Sequence, residues 1–200
     1  MPRFIVHLLI FALLAIVIAL PVSRLLRSDT STRNFRAVDP GVFYRSGQMA
    51  APGLERVLDE YGIRTVVSFR DSKSKTELAP DEFEKGLCES RGVVYHRFTP
   101  LNWMLPDGTM PAQANVDRFV KMLHDPKTQW PILIHCFAGV HRTGAFTAIY
   151  RMEKDGWTNA EAIREMLEIG RDKSGFEADI LTYLNGYQPR TPRPIINSVK

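Results

Sequence analysis

The chain has 200 residues, 44% hydrophobic, 24% charged and 10% aromatic. That composition excludes a disordered or collagen-like chain and suits one domain with a sizeable core. Lys and Arg number 26 against 22 Asp and Glu, a net charge of +4 that suits anionic substrates. The clustered basic blocks of a nucleic-acid binder are missing, so no nucleic-acid partner is expected.

From Phe4 to Leu20 runs a stretch of 17 residues broken only by His7, flanked by Arg3 and by Arg24 and Arg27. It is longer than a usual signal-peptide apolar region and sits at the short end of what spans a hydrocarbon core of about 30 Å. An uncleaved single-pass anchor over residues 1–23 is therefore expected in preference to a cleaved signal segment. Arginines after the run (Arg24, Arg27, Arg33, Arg36) outnumber the charge before it, which leans toward a cytoplasmic domain by the positive-inside tendency. Residues 24–39, rich in Arg, Ser and Thr, read as a linker.

The hydrophobic period then switches between strand and helix. Short apolar runs at Val42–Arg45, Ile63–Phe69, Val93–Phe98 and Pro131–His135 read as strands. Leu54, Val57, Leu58 and Tyr61 form a helical stripe closed by Gly62. Phe83, Leu87 and Cys88 form another closed by Gly92, and Val116, Phe119, Val120 and Leu123 a third. Three further helices are expected over Thr143–Lys154, Thr158–Glu168 with Thr158 as N-cap, and Phe176–Leu184. The fold class is α/β, a mostly parallel central sheet of about four to five strands flanked by helices, preceded by one transmembrane helix. The domain spans 40–188, and a Pro-rich tail follows over 189–200.

In such sheets ligands bind outside the carboxyl ends of the strands. After Pro131–Ile134 comes His135-Cys136-Phe137-Ala138-Gly139-Val140-His141-Arg142-Thr143-Gly144, which leads into a helix. A short loop at a helix N-terminus aims N–H groups and the positive dipole end at one point, an anion cradle. Such a cradle favours the thiolate form of a cysteine, and Arg142, with five residues between it and Cys136, can hold two phosphate oxygens as a fork. Two cysteines, Cys88 and Cys136, are too few for a disulfide framework and lack C-x-x-C spacing, so no metal site is expected and Cys136 works as a free thiol. Cys88 reads as structural.

The stretch His135-Cys136-x-x-Gly139-x-x-Arg142-Thr143-Gly144 resembles the signature loop of cysteine-dependent protein tyrosine and dual-specificity phosphatases. Phe43-Tyr44-Arg45-Ser46-Gly47-Gln48 resembles the opening strand of the compact atypical group found in plants, fungi and bacteria. The resemblance covers about Pro40 to Ala178. It implies that Cys136 attacks phosphorus, that Arg142 binds the phosphate, that Thr143 hydrogen-bonds the thiolate and that His135 orients the loop. Phe137, Ala138, Gly139, Val140 and His141 of that loop are read as substrate-binding, His141 either adding positive charge for substrates with several phosphates or pointing to solvent, and the resemblance implies no metal or organic cofactor. The family's loop aspartate, which protonates the leaving oxygen, is assigned to Asp107, 29 positions before Cys136 and between Pro106 and Gly108. Asp71 is the other carboxylate at a strand end.

Arg70 follows a strand and reads as a phosphate or loop-anchoring contact, whereas Lys73 and Lys75 read as a solvated turn. Trp103 reads as packing for the acid loop or lining for the mouth of the pocket, and equally as core. The expected substrate is a phosphotyrosine or dual-specificity phosphoprotein. An inositol phosphate or phosphoinositide is the second reading, since Phe137, Ala138 and Val140 stand where lipid-acting relatives often carry Lys. A catalytically silent phosphate-binding module and a rhodanese-like sulfurtransferase also fit a cysteine held between strand and helix. Composition leaves the oligomeric state open.

Overall fold

The computed structural model describes residues 32–70, 80–170 and 178–190. The expected anchor over 1–23, Asp71, Lys73, Lys75 and the tail beyond 190 lie outside the described residues. Among the described residues no helix is long and apolar enough to cross a membrane.

Chain order is β1 (Arg36–Asp39), β2 (Phe43–Gly47), α1 (Ala51–Glu60), β3 (Thr65–Ser68), α2 (Pro80–Ser90), β4 (Val94–Arg97), α3 (Gln113–His124), β5 (Ile132–Cys136), α4 (His141–Lys154), α5 (Asn159–Gly170) and α6 (Ala178–Gly186). The sheet runs β1-β2-β5-β3-β4. Strands β2, β5, β3 and β4 are parallel, and β1 pairs antiparallel with β2. The four strands expected from apolar runs are present. β1 is a correction, because it forms within the segment expected to be linker.

Period-two alternation splits the core into two layers. Phe43, Val67, Ile132 and Ile134 face one side, where they meet α3, α4, α5 and α6. Tyr44, Val66 and Leu133 face the other, against α1 and Cys88 of α2. Phe43 stacks on Tyr150 and Phe69 on Phe146, each at a centroid distance of 3.9 Å. α5 starts with the reciprocal cap that Thr158 predicts: Thr158 N–H donates to Glu161 Oε2 at 2.8 Å, and Glu161 N–H to Thr158 Oγ1 at 3.2 Å.

α2 departs from expectation in its facing. Phe83 is 56% exposed, and Glu84 is buried in its place. This facing brings Glu84 Oε1 to 2.5 Å from His135 Nε2. The start of the tail is also fastened rather than free: Arg190 N–H donates to Glu153 Oε1 at 3.0 Å, and its guanidinium pairs with Asp117.

Candidate active site

The parallel register sets the site. Gly47 of β2 pairs with Cys136 at the end of β5, and Ser68 of β3 pairs with His135, so three carboxyl ends converge on the loop over 137–140. α4 begins directly after it.

Three successive loop carbonyls are held from outside. Gln48 N–H donates to Phe137 O at 3.1 Å, Asn34 Nδ2 to Ala138 O at 2.8 Å, and Arg45 Nη2 to Gly139 O at 2.8 Å. A trans peptide plane carries its C=O and N–H in opposite directions, so carbonyls pinned outward turn the next N–H groups inward. Gly139 N–H accordingly donates to Cys136 Sγ at 3.3 Å. Gly139 has φ +74°, and a Cβ there would sit 2.4 Å from Gly47 N, so only glycine closes this wrap.

Cys136 Sγ thus lies at the floor of a cavity of about 200 Å³ lined by Cys136, Phe137, Ala138, His141 and Arg142. Larger grooves flank α3, one of about 390 Å³ lined by Thr65, His96, Arg118 and Lys121 among others, but neither borders Cys136. Arg142 is exposed on the rim, with Nη1 donating to Phe69 O at 3.5 Å, a long contact that leaves the guanidinium fork available. The Thr143 hydroxyl is fully buried and has no hydrogen-bond partner, and the same holds for the Ser46 and Ser68 hydroxyls. His135 is 2% exposed, with Nδ1 3.4 Å from Cys136 O and Nε2 on Glu84. This arrangement can bind a tetrahedral oxyanion over a sulfur nucleophile.

Of the residues expected at the site, Cys136, Phe137, Ala138, His141 and Arg142 line the cavity together. Gly139 forms its turn, and Val140 serves as the N-cap of α4 outside the lining. Arg70 stands beside it, its guanidinium 5.1 Å from the Phe137 ring centroid. Asp107 is not brought to the cavity. It is exposed, its Oδ1 accepts from Thr109 N at 2.9 Å and Thr109 Oγ1 at 2.8 Å, and these bonds hold its carboxyl below the usual carboxylate range. No carboxylate lines the cavity among the described residues. Trp103 is core, packed on Phe146 and Tyr183, though the pocket it lines also touches Arg142. Cys88 is fully buried, and burial beside Glu84 and Glu89 pushes its thiol up to about 12.

Four residues at the site escape the sequence reading. Arg45 is 1% exposed and holds the loop from behind. Desolvation pulls its guanidinium down to about 10, with Glu165 and Cys136 opposing that fall. An arginine two positions after Phe43 in a short strand that reads as buried was the one signal for it. Glu84 left no signal, since its helix offered Phe83 for the same face. Arg33 and Asn34 lie in the segment read as linker.

A family model described as DSP-PTPase phosphatase fused to NAD+ kinase matches residues 17–181. The chain is 27% identical over 138 residues to a protein tyrosine phosphatase PRL-1 of Trypanosoma cruzi, covering 68% of this chain and 69% of that one. It is 33% identical over 73 residues to the dual specificity protein phosphatase TpbA of Pseudomonas aeruginosa, a match that spans only 36% of this chain and 34% of TpbA. Among solved structures, the core catalytic domain of the PP-IP phosphatase Siw14 from S. cerevisiae superimposes with a TM-score of 0.61 at 17% identity, covering 80% of this chain and 89% of that chain. TpbA in complex with phosphotyrosine gives 0.56 at 23% identity, over 80% and 91%. These superpositions establish a shared fold.

Proposed function

We propose, on the premise that the chain belongs to the phosphatase family described as DSP-PTPase phosphatase fused to NAD+ kinase, that it hydrolyses phosphomonoesters through a cysteinyl-phosphate at Cys136. The observation that carries this is the Gly139 N–H bond to Cys136 Sγ at the floor of a cradle whose outer carbonyls are all engaged. A preorganised ring of inward N–H groups stabilises both the thiolate and the phosphoryl oxygens that gain charge in the transition state.

In the first step the Sγ lone pair forms an S–P bond while the P–O bond to the leaving group breaks, and Arg142 binds two equatorial oxygens. The leaving oxygen takes a proton from the loop acid, assigned to Asp107. In the second step water attacks phosphorus, gives its proton to the same carboxylate, and the S–P bond breaks to return the thiolate and free phosphate. Asp107 must leave Thr109 to do this, because in the turn its carboxyl is held in the charged form. Thr143, buried with an unpaired hydroxyl, supplies a donor to the departing thiolate.

The preferred substrate is a phosphotyrosine or dual-specificity phosphoprotein, supported by the relatives named protein tyrosine and dual specificity phosphatase. An inositol phosphate is the second reading, favoured by the likeness to the PP-IP phosphatase and by His141 on the cavity wall. The apolar segment Phe4–Leu20 anchors this domain to a membrane, with the domain on the cytoplasmic side. Phosphate release from p-nitrophenyl phosphate by the full chain in detergent, beside Cys136→Ser, tests the reaction. Activity in the first and none in the second is expected; equal rates would refute it. Alkaline extraction and protease protection of membranes test the anchor, and loss of the chain to the soluble fraction would refute that.

A further inference from the structure

Phe137 is the first residue of the loop over 137–140 and is 56% exposed. It is flanked by two arginines: the Arg33 guanidinium carbon lies 4.4 Å from the ring centroid and that of Arg70 lies 5.1 Å away. Phe137 lines the cavity that ends on Cys136 together with Arg142 and His141, so the two guanidinium groups on its ring lie beside that lining. Neither arginine forms an ion pair among the described residues, and the two like charges share one ring. A guanidinium lying over a ring uses its face, and its in-plane N–H fork stays available for an oxyanion.

Arg33 is not a loosely placed surface side chain. Its carbonyl accepts from Gly47 N–H at 2.7 Å, and the next residue, Asn34, takes φ +51° to reach Ala138 O with Nδ2 at 2.8 Å. A Cβ on Gly47 would lie 3.0 Å from Arg33 Cγ and 2.9 Å from Ala138 O, so the backbone there is fitted to this approach. The same short segment therefore braces the loop and delivers a cation to its rim.

We propose that Arg33 and Arg70, set on Phe137, form a second oxyanion site beside the Cys136 cavity, which receives a second phosphate carried by the substrate. It rests on the phosphatase reading above and selects, within it, phosphomonoesters that bear a neighbouring phosphate. Arg33 is the specificity residue of this site, since it touches neither Cys136 nor the cavity floor.

The test uses the full chain in detergent and measures kcat/KM for myo-inositol monophosphate, for a myo-inositol bisphosphate with phosphates on adjacent carbons, and for p-nitrophenyl phosphate. A charge-assisted contact at an exposed rim corresponds to about a tenfold preference for the bisphosphate. Arg33→Glu is expected to erase that preference, read within each variant as the ratio of kcat/KM for the bisphosphate to that for the monophosphate, and Arg33→Lys to retain part of it, because lysine lacks the fork. The same phosphates on a phosphoinositide in mixed micelles separate the two sources: a preference confined to micelles assigns a lipid headgroup, and one seen in both assigns the phosphates themselves. Turnover of p-nitrophenyl phosphate with no preference in the native chain, or a preference unchanged in Arg33→Glu, would overturn the subsite. Absence of all Cys136-dependent turnover would refute the phosphatase reading instead. The subsite would then be decided by bisphosphate binding to the chain with and without Arg33→Glu, equal affinities refuting it.

Discussion

Arg45→Met separates what a buried charge does for the fold from what it does for the loop. Methionine keeps the length and an apolar volume close to that of the arginine stem. Arg45 is 1% exposed, only Nη2 has a partner, and Nε and Nη1 have none. Desolvation lowers the guanidinium from its ordinary value, by about two pH units or more, to about 10. At about 1.4 kcal/mol per pH unit, that is a charging penalty of about 3 kcal/mol carried by the folded state at neutral pH. The bond to Gly139 O, with a charged donor, returns about 1.5–3 kcal/mol. The two nearly cancel, so urea unfolding of Arg45→Met should show a stability within about 2 kcal/mol of the native chain. Turnover should not be spared: without the clamp Gly139 O is free to rotate, and the N–H ring over Cys136 loses its preorganisation. We expect kcat/KM on p-nitrophenyl phosphate to fall about tenfold to hundredfold per folded molecule. pH gives an independent check. Because the folded-state value is depressed, the folded chain binds fewer protons than the unfolded chain from about 10 up to the ordinary arginine range, so stability rises with pH there. Relative to Arg45→Met, the native chain should therefore gain up to about 3 kcal/mol across that window. A variant that loses far more than 3 kcal/mol yet keeps the native rate in its folded fraction would refute the argument and make Arg45 a plain core residue.

Four other outcomes follow from the geometry. At neutral pH iodoacetamide should label Cys136 and spare the buried Cys88, read by peptide mass; labelling of Cys88 in the folded chain would contradict its burial. Asp107→Asn should slow hydrolysis of a phenyl phosphate with a poor leaving group by about 10²-fold and affect a good leaving group less, measured by steady-state rates; equal effects would dismiss Asp107 as the acid. Gly139→Ala should abolish turnover, because the new Cβ would meet Gly47 N at 2.4 Å, and a preserved rate would show that the loop closes some other way. Burial works to raise the Glu153 carboxyl, but hydrogen bonds from Tyr187, Arg190 N–H and His124 outweigh it and hold it low. Its contribution is complete above the ordinary carboxylate range and is lost as pH falls through the lowered value, so Glu153→Gln should cost about 2 kcal/mol at neutral pH and flatten the acid limb of urea stability.

Much of the fold was legible because its strands are continuous apolar runs and its helices carry stripes with glycine stops. β1 was not. Arg36-Ala37-Val38-Asp39 has two apolar residues in four, and it becomes a strand through antiparallel pairing with β2 at the sheet edge. The facing of α2 was misread because a polar contact to a distant residue goes with its rotation: Glu84 is buried against His135 and Phe83 is left exposed. At the site, Cys136, Arg142 and the glycine wrap were readable because their spacing is dictated by one tight loop. The outer braces were not, since Asn34 and Arg45 reach the loop across 104 and 94 positions of sequence. Asp107 was legible as a loop residue, yet its partner Thr109, two positions on, ties it into its own turn.

α4 starts at the catalytic loop with His141 and Arg142 and reaches, in its last turn, the buried Glu153 that fastens Tyr187 and Arg190. At 1.5 Å per residue its 14 residues make a rod of about 21 Å. The chain thus leaves Arg190 from a point tied to the far end of the helix that opens at the cradle. Anyone joining a tag or a partner domain behind this protein is therefore attaching it to the far end of the beam on which the nucleophile's pocket is mounted, and a spacer beyond residue 190 is the way to keep that beam unloaded.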